Sequence, residues 1–206
     1  TMAVSGNEAT IYYTRNSYTV TYYFDGTQVD GTETYTYGAA VTAKTLPVRT
    51  GYTVTGWYDT TPAGTQTVTV PETMPAHNLT FYAFSAINSY SWTVNYYKDS
   101  IADGNFLGSL TGTADFGSTV TVDKNAKTPT GYVQPGVASR DSILITVDPD
   151  NNVATVLYTK DTFAYVIHHV EKGTTNQIAD NTIGTAAFGS VIDVTAAAKT
   201  ITGFTY

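Results

Sequence analysis

The sequence repeats itself, and this repetition limits the possible folds more than any other feature. A run of aromatic and β-branched residues ends in a polar turn at three places, residues 17–26, 91–100 and 162–173. Such a run is typical of a strand followed by a loop. The copies recur about every 70 to 80 residues, a longer period than that of a solenoid repeat. The repetition therefore predicts a string of small, separate domains.

Three further landmarks recur in the same order. An aromatic residue followed by glycine occurs at Tyr37-Gly38, Phe116-Gly117 and Phe188-Gly189. A threonine, a glycine and an aromatic residue follow at positions 50–52, 130–132 and 202–204. A closing β-branched and aromatic run occurs at 9–15, 79–85 and 154–160. Because the first closing run precedes the first opening run, the chain is expected to hold parts of two repeats and two complete ones.

These landmarks divide the chain into four parts. Residues 1–16 are interpreted as the last strand of an upstream repeat, and residues 17–87 and 88–160 as complete modules. Residues 161–206 are interpreted as a partial module that lacks its closing strand.

The composition indicates a mainly β (α+β) fold. The chain has 17 Tyr and much Thr and Val, and 13% of its residues are charged; these β-branched and aromatic types suit strands. We predict small modules with mostly antiparallel strands and at most one short helix each, at 122–128 and 194–200. Residues 148–152, rich in Asp, Asn and Pro, predict a hairpin turn between strands 143–147 and 153–158.

Charge and hydropathy disfavour nucleic acid and the membrane interior as partners. The net charge is −7 and the ten basic residues form no run, which disfavours nucleic acid. No apolar stretch approaches the length of a membrane helix, so no membrane insertion is expected, and the chain is expected to be monomeric. Cysteine is absent, which fits both a surface protein of a Gram-positive bacterium and an ordinary cytosolic protein.

The repeated motifs resemble two families of Gram-positive surface repeats. Residues 18–22, 47–52, 55–58 and 79–83 make the first module similar to the Listeria–Bacteroides B-repeat of internalin-type proteins, although Phe24-Asp25-Gly26 replaces the Asn-Gly-Gly often found there. The second and partial third modules resemble mucin-binding-protein (MucBP) repeats. Both resemblances imply small β-grasp-like folds along an adhesin.

Two groups of residues are candidates for a metal site. His168 and His169 are neighbours on a predicted strand, so they point to opposite faces and cannot share one metal, and His77 lies in a separate loop. The oxygen-rich turn of Asp148, Asp150, Asn151 and Asn152 lacks the Gly and Glu of a calcium loop. We therefore expect strand histidines, a plain turn, and neither metal nor cofactor.

The aromatic residues could form a platform for sugars or peptides. Trp57, Tyr58 and Trp92 are candidates, but core packing is favoured for both tryptophans; Trp92 is aligned with Tyr18 and Phe163 at the opening position. The segment 46–51 superficially resembles a sortase signal and is interpreted as a turn.

Three lysines recur in the motif Ala-Lys-Thr. Lys44, Lys127 and Lys199 suit either an exposed position at a helix end or an intramolecular Lys–Asn isopeptide bond, and the exposed position is favoured because Lys is rarely buried.

No nucleophilic triad, nucleophile elbow or phosphate-binding loop is present, so the chain is not expected to be an enzyme. The preferred hypothesis is a secreted, cell-wall-attached adhesin repeat region that projects or presents a surface for host mucin, glycan or matrix. The alternatives are a passive spacer for a separate binding domain and an accessory module of a secreted polysaccharide-active enzyme. The ligand-binding residues are not identified by the sequence.

Overall fold

The computed structural model of the chain describes residues 6–61 and 66–206. Residues 1–5 of the predicted upstream strand and residues 62–65 of the first module lie outside the described residues. The chain divides into two compact units, Thr1–Ser89 and Tyr90–Tyr206. Both units consist of strands in small sheets, and the second unit also contains short 3₁₀ turns, so the predicted mainly β fold is confirmed.

The first unit is organised around its opening strand. The strands are β1 (Ser17–Phe24), β2 (Thr27–Thr36), β3 (Tyr52–Val54), β4 (Leu79–Ala83) and β5 (Ser85–Ile87). In the main sheet, of order β2-β1-β4, β1 pairs antiparallel with β2 and parallel with β4. A single antiparallel bridge adds Tyr58 next to Tyr82, and β3 and β5 form a separate antiparallel pair.

Alternation along β1 and β4 builds the first core. Val20 and Tyr22 point to one face of the sheet together with Phe81 and Ala83, and all four are buried, because successive side chains in a strand point to opposite faces. Loop residues complete the core from above the sheet. They are Val41, Trp57, Val70 and Met74.

The second unit repeats this plan in its first part. Its strands are β6 (Ser89–Lys98), β7 (Phe106–Asp115), β8 (Thr119–Thr121), β9 (Val137–Ala138), β10 (Ser142–Leu144), β11 (Val153–Tyr158), β12 (Thr162–Val170) and β13 (Gln177–Ala187). The main sheet has the order β7-β6-β11-β9, in which β6 and β11 are parallel and β9 and β11 antiparallel. The opening and closing strands are again parallel neighbours.

The predicted hairpin around residues 148–152 is wrong. β10 pairs with β8, whereas β11 pairs with β6 and β9, and a 3₁₀ turn at Pro149–Asn152 connects them. Local turn residues correctly predicted a change of chain direction. They could not indicate that the two flanking strands enter different sheets, because long-range burial decides the pairing: Ile143 and Ile145 lie in one core with Val156 and Tyr158.

Asn152 is the buried polar residue of this second core. Its side-chain Oδ1 accepts hydrogen bonds from the Thr146 N–H (2.9 Å) and hydroxyl (3.2 Å). Its Nδ2 donates to the carbonyls of Thr146 (2.9 Å) and Ser91 (3.2 Å). The amide therefore fastens the 3₁₀ turn to the segment before it and to the opening strand.

The predicted helices are shorter than expected. Residues 124–127 form a turn, and the counterpart segment contains a single 3₁₀ turn at Thr195–Ala197. A further 3₁₀ turn occurs at Asp103–Asn105. Short runs of Ala and Lys are too short to form a stable helix without packing partners.

The partial third module is a two-stranded antiparallel sheet of β12 and β13 that adjoins the second module. The Asp161 N–H donates to the Gly131 carbonyl (2.9 Å), and the Phe188 N–H donates to the Asp161 carbonyl (2.8 Å). Gly131 has φ +82°, and a Cβ there would overlap the Phe188 ring. The glycine landmark of one module and the aromatic landmark of the next therefore meet at the junction.

Replacing Gly136 tests how tightly the second core is packed. A Cβ at this buried glycine would lie 2.7 Å from atoms of both Val156 and Tyr158, so Gly136→Ala is expected to lower the free energy of unfolding by about 1–3 kcal/mol through overpacking. Gly104→Ala is the control, since a Cβ there has no neighbour within 4 Å. Chemical denaturation measures both, and an equal effect of the two changes would contradict this packing.

Replacing Asn152 tests the buried amide. Asn152→Ala leaves the Thr146 amide and two carbonyls without their partner, so a loss of about 1–3 kcal/mol is expected in the free energy of unfolding. Asn151→Ala is the control, because the neighbouring side chain is exposed and bonds to Asp148 at the surface. Thermal and urea unfolding measure the free energy of unfolding of both variants. An unchanged stability in Asn152→Ala would contradict a structural role for this amide.

Candidate interaction surface

The two tryptophans proposed as platform candidates both lie on core faces. Trp57 is buried, its Nε1 donates to the Lys44 carbonyl (3.1 Å), and its ring meets Tyr22 edge-on at 4.8 Å. Trp92 is half-buried against the second core and covers Gly112, where a Cβ would lie 2.6 Å from the ring. The preference for core packing is confirmed for Trp57, and for Trp92 at the edge of its core.

The predicted alignment of Trp92 with Phe163 is wrong by two residues. Tyr165 covers Gly184 as Trp92 covers Gly112. The two glycines begin segments 112–118 and 184–190, which are identical at six of seven positions. The counterpart of Phe163 is Tyr90, because Tyr90–Phe116 and Phe163–Phe188 form matching edge-on pairs, at 6.4 and 6.1 Å.

The solvent face of the first sheet presents a row of aromatic rings. Tyr23 on β1 stacks on Tyr82 of β4, with ring centres 5.3 Å apart and planes 19° apart. Tyr58 is bridged to Tyr82 by two backbone hydrogen bonds of 2.8 and 2.7 Å. The centre of the Phe84 ring lies 5.9 Å from that of Tyr58 and 6.4 Å from that of Tyr82. We call these four half-buried residues the outer aromatic row.

Strand periodicity explains why the row exists. The pair Tyr22-Tyr23 places one ring in the core and the other on the outer face, and Phe81-Tyr82 does the same on β4. Among the platform candidates named from the sequence, Tyr58 alone belongs to the row. Two adjacent aromatic residues in a strand are the sequence signal that could have identified Tyr23 and Tyr82. The same signal occurs at Tyr96-Tyr97, where the ring centres of Tyr97 and Phe106 are 5.3 Å apart.

A charged cluster fixes the strand ends beside the row. The Asp25 carboxylate accepts from the Ser85 N–H (2.8 Å) and hydroxyl (2.6 Å) and from Arg49 (3.2 Å), and the Arg49 guanidinium lies 3.8 Å from the centre of the Tyr52 ring. Burial raises the pKa of Asp25, but the hydrogen bonds from Ser85 and the Arg49 charge outweigh it, so the pKa lies below its usual value. The cluster ties the β1–β2 turn to the end of β4.

Lys44 is paired with carboxylates. Its Nζ lies 3.2 Å from Glu33 and 3.3 Å from Asp30 and 5.5 Å from the centre of the Tyr22 ring. Burial lowers the pKa of Lys44, yet these two acidic partners hold the pKa above its usual value. Lys199 donates to the Asp180 carbonyl. Both ammonium groups therefore contact carboxylate or carbonyl oxygens within the described residues, as expected for lysines at polar positions.

The three histidines considered as metal ligands do not converge on one point. His168 bonds to Asn181 (3.1 Å) and His169 to Thr182 (3.0 Å), so the prediction that they point to opposite faces is confirmed; His77 lies in the exposed loop before β4. Residues 6–61 and 66–206 contain no group of three His, Cys, Asp or Glu that could hold a metal ion. Across those ranges no helix is long and apolar enough to cross a membrane.

In the acidic turn at 148–152, the carboxylate of Asp148 accepts hydrogen bonds from other residues of the same turn. The Asp148 carboxylate accepts from the Asp150 N–H and from the Asn151 side chain, both at 3.0 Å. The carboxylate therefore acts as a cap for the 3₁₀ turn, as in the N-terminal capping of helices. The segment 46–51 likewise ends in a turn, closed by the Tyr52 N–H and the Arg49 carbonyl (3.1 Å).

Comparison with known sequences identifies the first module. Residues 18–84 match the sequence profile of the Listeria-Bacteroides repeat domain, which confirms the resemblance predicted for this part of the chain. A segment of 68 residues is 46% identical to Internalin H of Listeria monocytogenes serovar 1/2a (strain ATCC BAA-679 / EGD-e). It covers 32% of this chain and 12% of that relative.

The matched residues include both faces of the first sheet, from the buried Tyr22 to the outer aromatic row. The MucBP resemblance of the second and third modules stays a prediction. Residues 18–84 are thus similar to the Listeria-Bacteroides repeat domain, and the chain fits a repeat region of a surface protein.

Proposed function

We propose that the chain is a non-enzymatic part of an extracellular, cell-wall-attached bacterial adhesin, and that its modules are load-bearing units that hold a binding surface away from the cell. The observation that supports this proposal is the pairing of the first and last main-sheet strands of each complete module. β1 lies parallel to β4, and β6 lies parallel to β11.

This pairing determines how a module responds to tension. In a parallel pair the start of one strand and the end of the other lie at opposite ends of the sheet. A pull on the chain therefore slides the two strands past each other and loads all their hydrogen bonds together. In an antiparallel hairpin the ends are adjacent, so the bonds break one after another at lower force.

The junction between the second and third modules favours the same function. Three residues separate the end of β11 from the start of β12, and both the N–H and the carbonyl of Asp161 are hydrogen-bonded, to Gly131 and Phe188. A short, bonded connection transmits tension from one sheet to the next with little slack, as a stalk requires.

Recognition of mucin or another glycan is the second candidate function, and the outer aromatic row favours it. Exposed Tyr and Trp rings combine an apolar face with a polar edge and are enriched at recognition surfaces. The row presents Tyr23, Tyr58 and Tyr82 side by side on the solvent face of the first sheet. The MucBP resemblance of the later modules fits the same ligand class.

The load-bearing function predicts that rupture force depends on pulling direction. Because the chain has no Cys, handles can be attached to engineered thiols. We expect severalfold higher force for Ser17→Cys/Ala86→Cys, which shears β1 against β4, than for Ser17→Cys/Thr36→Cys, which unzips β1 from β2, since Ser17 and Thr36 are paired neighbours. Single-molecule force spectroscopy measures both on one module. Equal forces in the two directions would contradict a load-bearing arrangement.

The recognition function predicts binding of the chain to immobilised mucin or to a glycan array. Tyr23→Ser/Tyr82→Ser removes two rings of the row from half-buried positions, and we expect affinity to fall at least about tenfold, or about 1.4 kcal/mol. Tyr12→Ser is the control, because Tyr12 is exposed and lies outside the strands. Circular dichroism verifies folding of each variant. No binding by the unmodified chain, or equal loss in the control, would exclude the row as a glycan site.

A further inference from the structure

The two complete modules have the same register between their opening and closing strands. Tyr22 and Tyr96 are the fully buried aromatic residues of the two opening strands. Tyr22 is paired with Phe81 of β4, and Tyr96 is paired with Val156 of β11. The residues next to these pairs point to the solvent faces, because successive side chains in a strand alternate between the two faces. Equivalent outer positions can therefore be assigned in both modules.

The outer aromatic row has a counterpart in the second module. Tyr97 faces Leu157 one step after the buried pair, so these two residues occupy the positions of Tyr23 and Tyr82. On the far side of Leu157, Val137 of β9 is its antiparallel partner and takes the place of the residue that is bridged to Tyr82 in the first module. We call this set, together with the ring that contacts Tyr97, the second outer row: Phe106, Tyr97, Leu157 and Val137.

The outer face of the first module is polar but uncharged. The paired positions that share a face with Tyr23 across β1, β2 and β4 hold only Ser, Thr, Gln and Tyr. The hydroxyls of Thr21 and Thr32 lie 3.2 Å apart, and the Gln28 Nε2 donates to the Thr32 hydroxyl at 3.1 Å, so these side chains lie together on that face. The outer aromatic row is therefore bordered by hydroxyl and amide groups.

The outer face of the second module has the same character. Thr93 is paired with Val153, and Asn95 is paired with Thr155. The Ser109 hydroxyl donates to the Asn95 Oδ1 at 2.7 Å, which places β7 hydroxyls beside the same face. Within the described residues, the paired positions of β6, β11 and β9 on this face are thus occupied by uncharged side chains.

The cations of the first module are already paired. Residues 17–87 contain two Lys or Arg residues, Lys44 and Arg49. The Lys44 Nζ lies 3.2 Å from Glu33, and the Arg49 guanidinium lies 3.2 Å from Asp25. The chain as a whole has a net charge of −7, which repels a polyanion. An anionic ligand on this face would lose water without gaining an opposite charge.

A neutral ligand rich in hydroxyls is complementary to both faces. Hydroxyl and amide side chains donate and accept hydrogen bonds, as sugar hydroxyls do. The aromatic rings add a flat apolar surface, which suits the C–H face of a sugar ring. Because complementary charge determines which partners are rejected as well as which are bound, an uncharged face favours an uncharged sugar.

We propose that the outer faces of the two complete modules are two equivalent sites for an uncharged polysaccharide. The proposal rests on the recognition function proposed above and narrows its ligand to neutral sugars rather than sialylated or sulfated chains. The outer aromatic row and the second outer row supply the apolar contacts. The hydroxyl and amide groups beside them supply the hydrogen bonds.

Binding of the full chain to neutral and charged glycans tests the ligand class. The probes are neutral dextran, mannan and galactan, their sulfated forms, and an array that also carries sialylated glycans. We expect binding to neutral glycans, at least about tenfold weaker binding to the sulfated forms, and less than about a twofold change in affinity between about 0.05 and 0.5 M NaCl.

The outcomes separate this proposal from the recognition function itself. Binding confined to sialylated or sulfated glycans, or a severalfold loss of affinity at the higher salt concentration, would overturn the neutral ligand and leave recognition standing. Binding to none of the glycans would overturn both.

Variants of the second outer row test whether the second module is a site. Tyr97→Ser/Leu157→Ser is expected to lower the affinity for the neutral glycan at least about fivefold through lost apolar contact, and its combination with the first-module double variant is expected to abolish binding. Val137→Ser changes a position that is 69% exposed, so it tests the same row with little effect on folding, and a smaller loss is expected.

Leu144→Ser is the matched control for these variants. Leu144 is 57% exposed and lies on β10, which belongs to a separate sheet, so unchanged binding is expected. Circular dichroism verifies the folding of each variant. Unchanged binding in both variants of the second outer row, or an equal loss in the control, would overturn the second site.

Discussion

The parallel contact between an opening strand and a closing strand is the interaction on which each complete module depends. β1 and β4 are far apart in sequence, and so are β6 and β11, yet each pair places alternate buried residues side by side. Tyr22 faces Phe81 across one pair, and Tyr96 faces Val156 across the other. Each fully buried aliphatic or aromatic side chain contributes about 1.5–3 kcal/mol. Joining the two ends of the module closes its core, and the loops between them cover the sheet formed by this pair.

The loops are held to that sheet by a few buried polar groups rather than by regular structure. In the second module the side chain of Asn152 forms such hydrogen bonds. The Tyr96 hydroxyl forms another, because it donates to the Asp123 carbonyl (2.8 Å). In the first module the Trp57 indole donates to the Lys44 carbonyl instead. A module with short strands and little helix has few backbone hydrogen bonds available for its loops, so side-chain amides, hydroxyls and rings replace them.

The sequence predicts the modules but not their internal pairing. Repeated landmarks and strand-forming composition were enough for the mainly β fold and for the first module's family resemblance. The partners of β10 could not be predicted, because the turn at Asp148 indicates only where the chain reverses, and burial of Ile143 with Val156 decides which sheet the strand joins. The outer aromatic row was missed for a related reason. Composition favours Tyr in strands, while the face that each ring occupies depends on register, which a one-residue shift would reverse.

The parallel pair and the outer aromatic row use different parts of the same sheet. The outer aromatic row lies on the solvent face of a sheet whose other face is filled by the core, so ligand contact there leaves the parallel pair intact. The row offers side chains, whereas the parallel pair would bear tension through its backbone hydrogen bonds. One sheet can therefore combine a load-bearing strand pair with a recognition surface, because the two proposed functions draw on different groups.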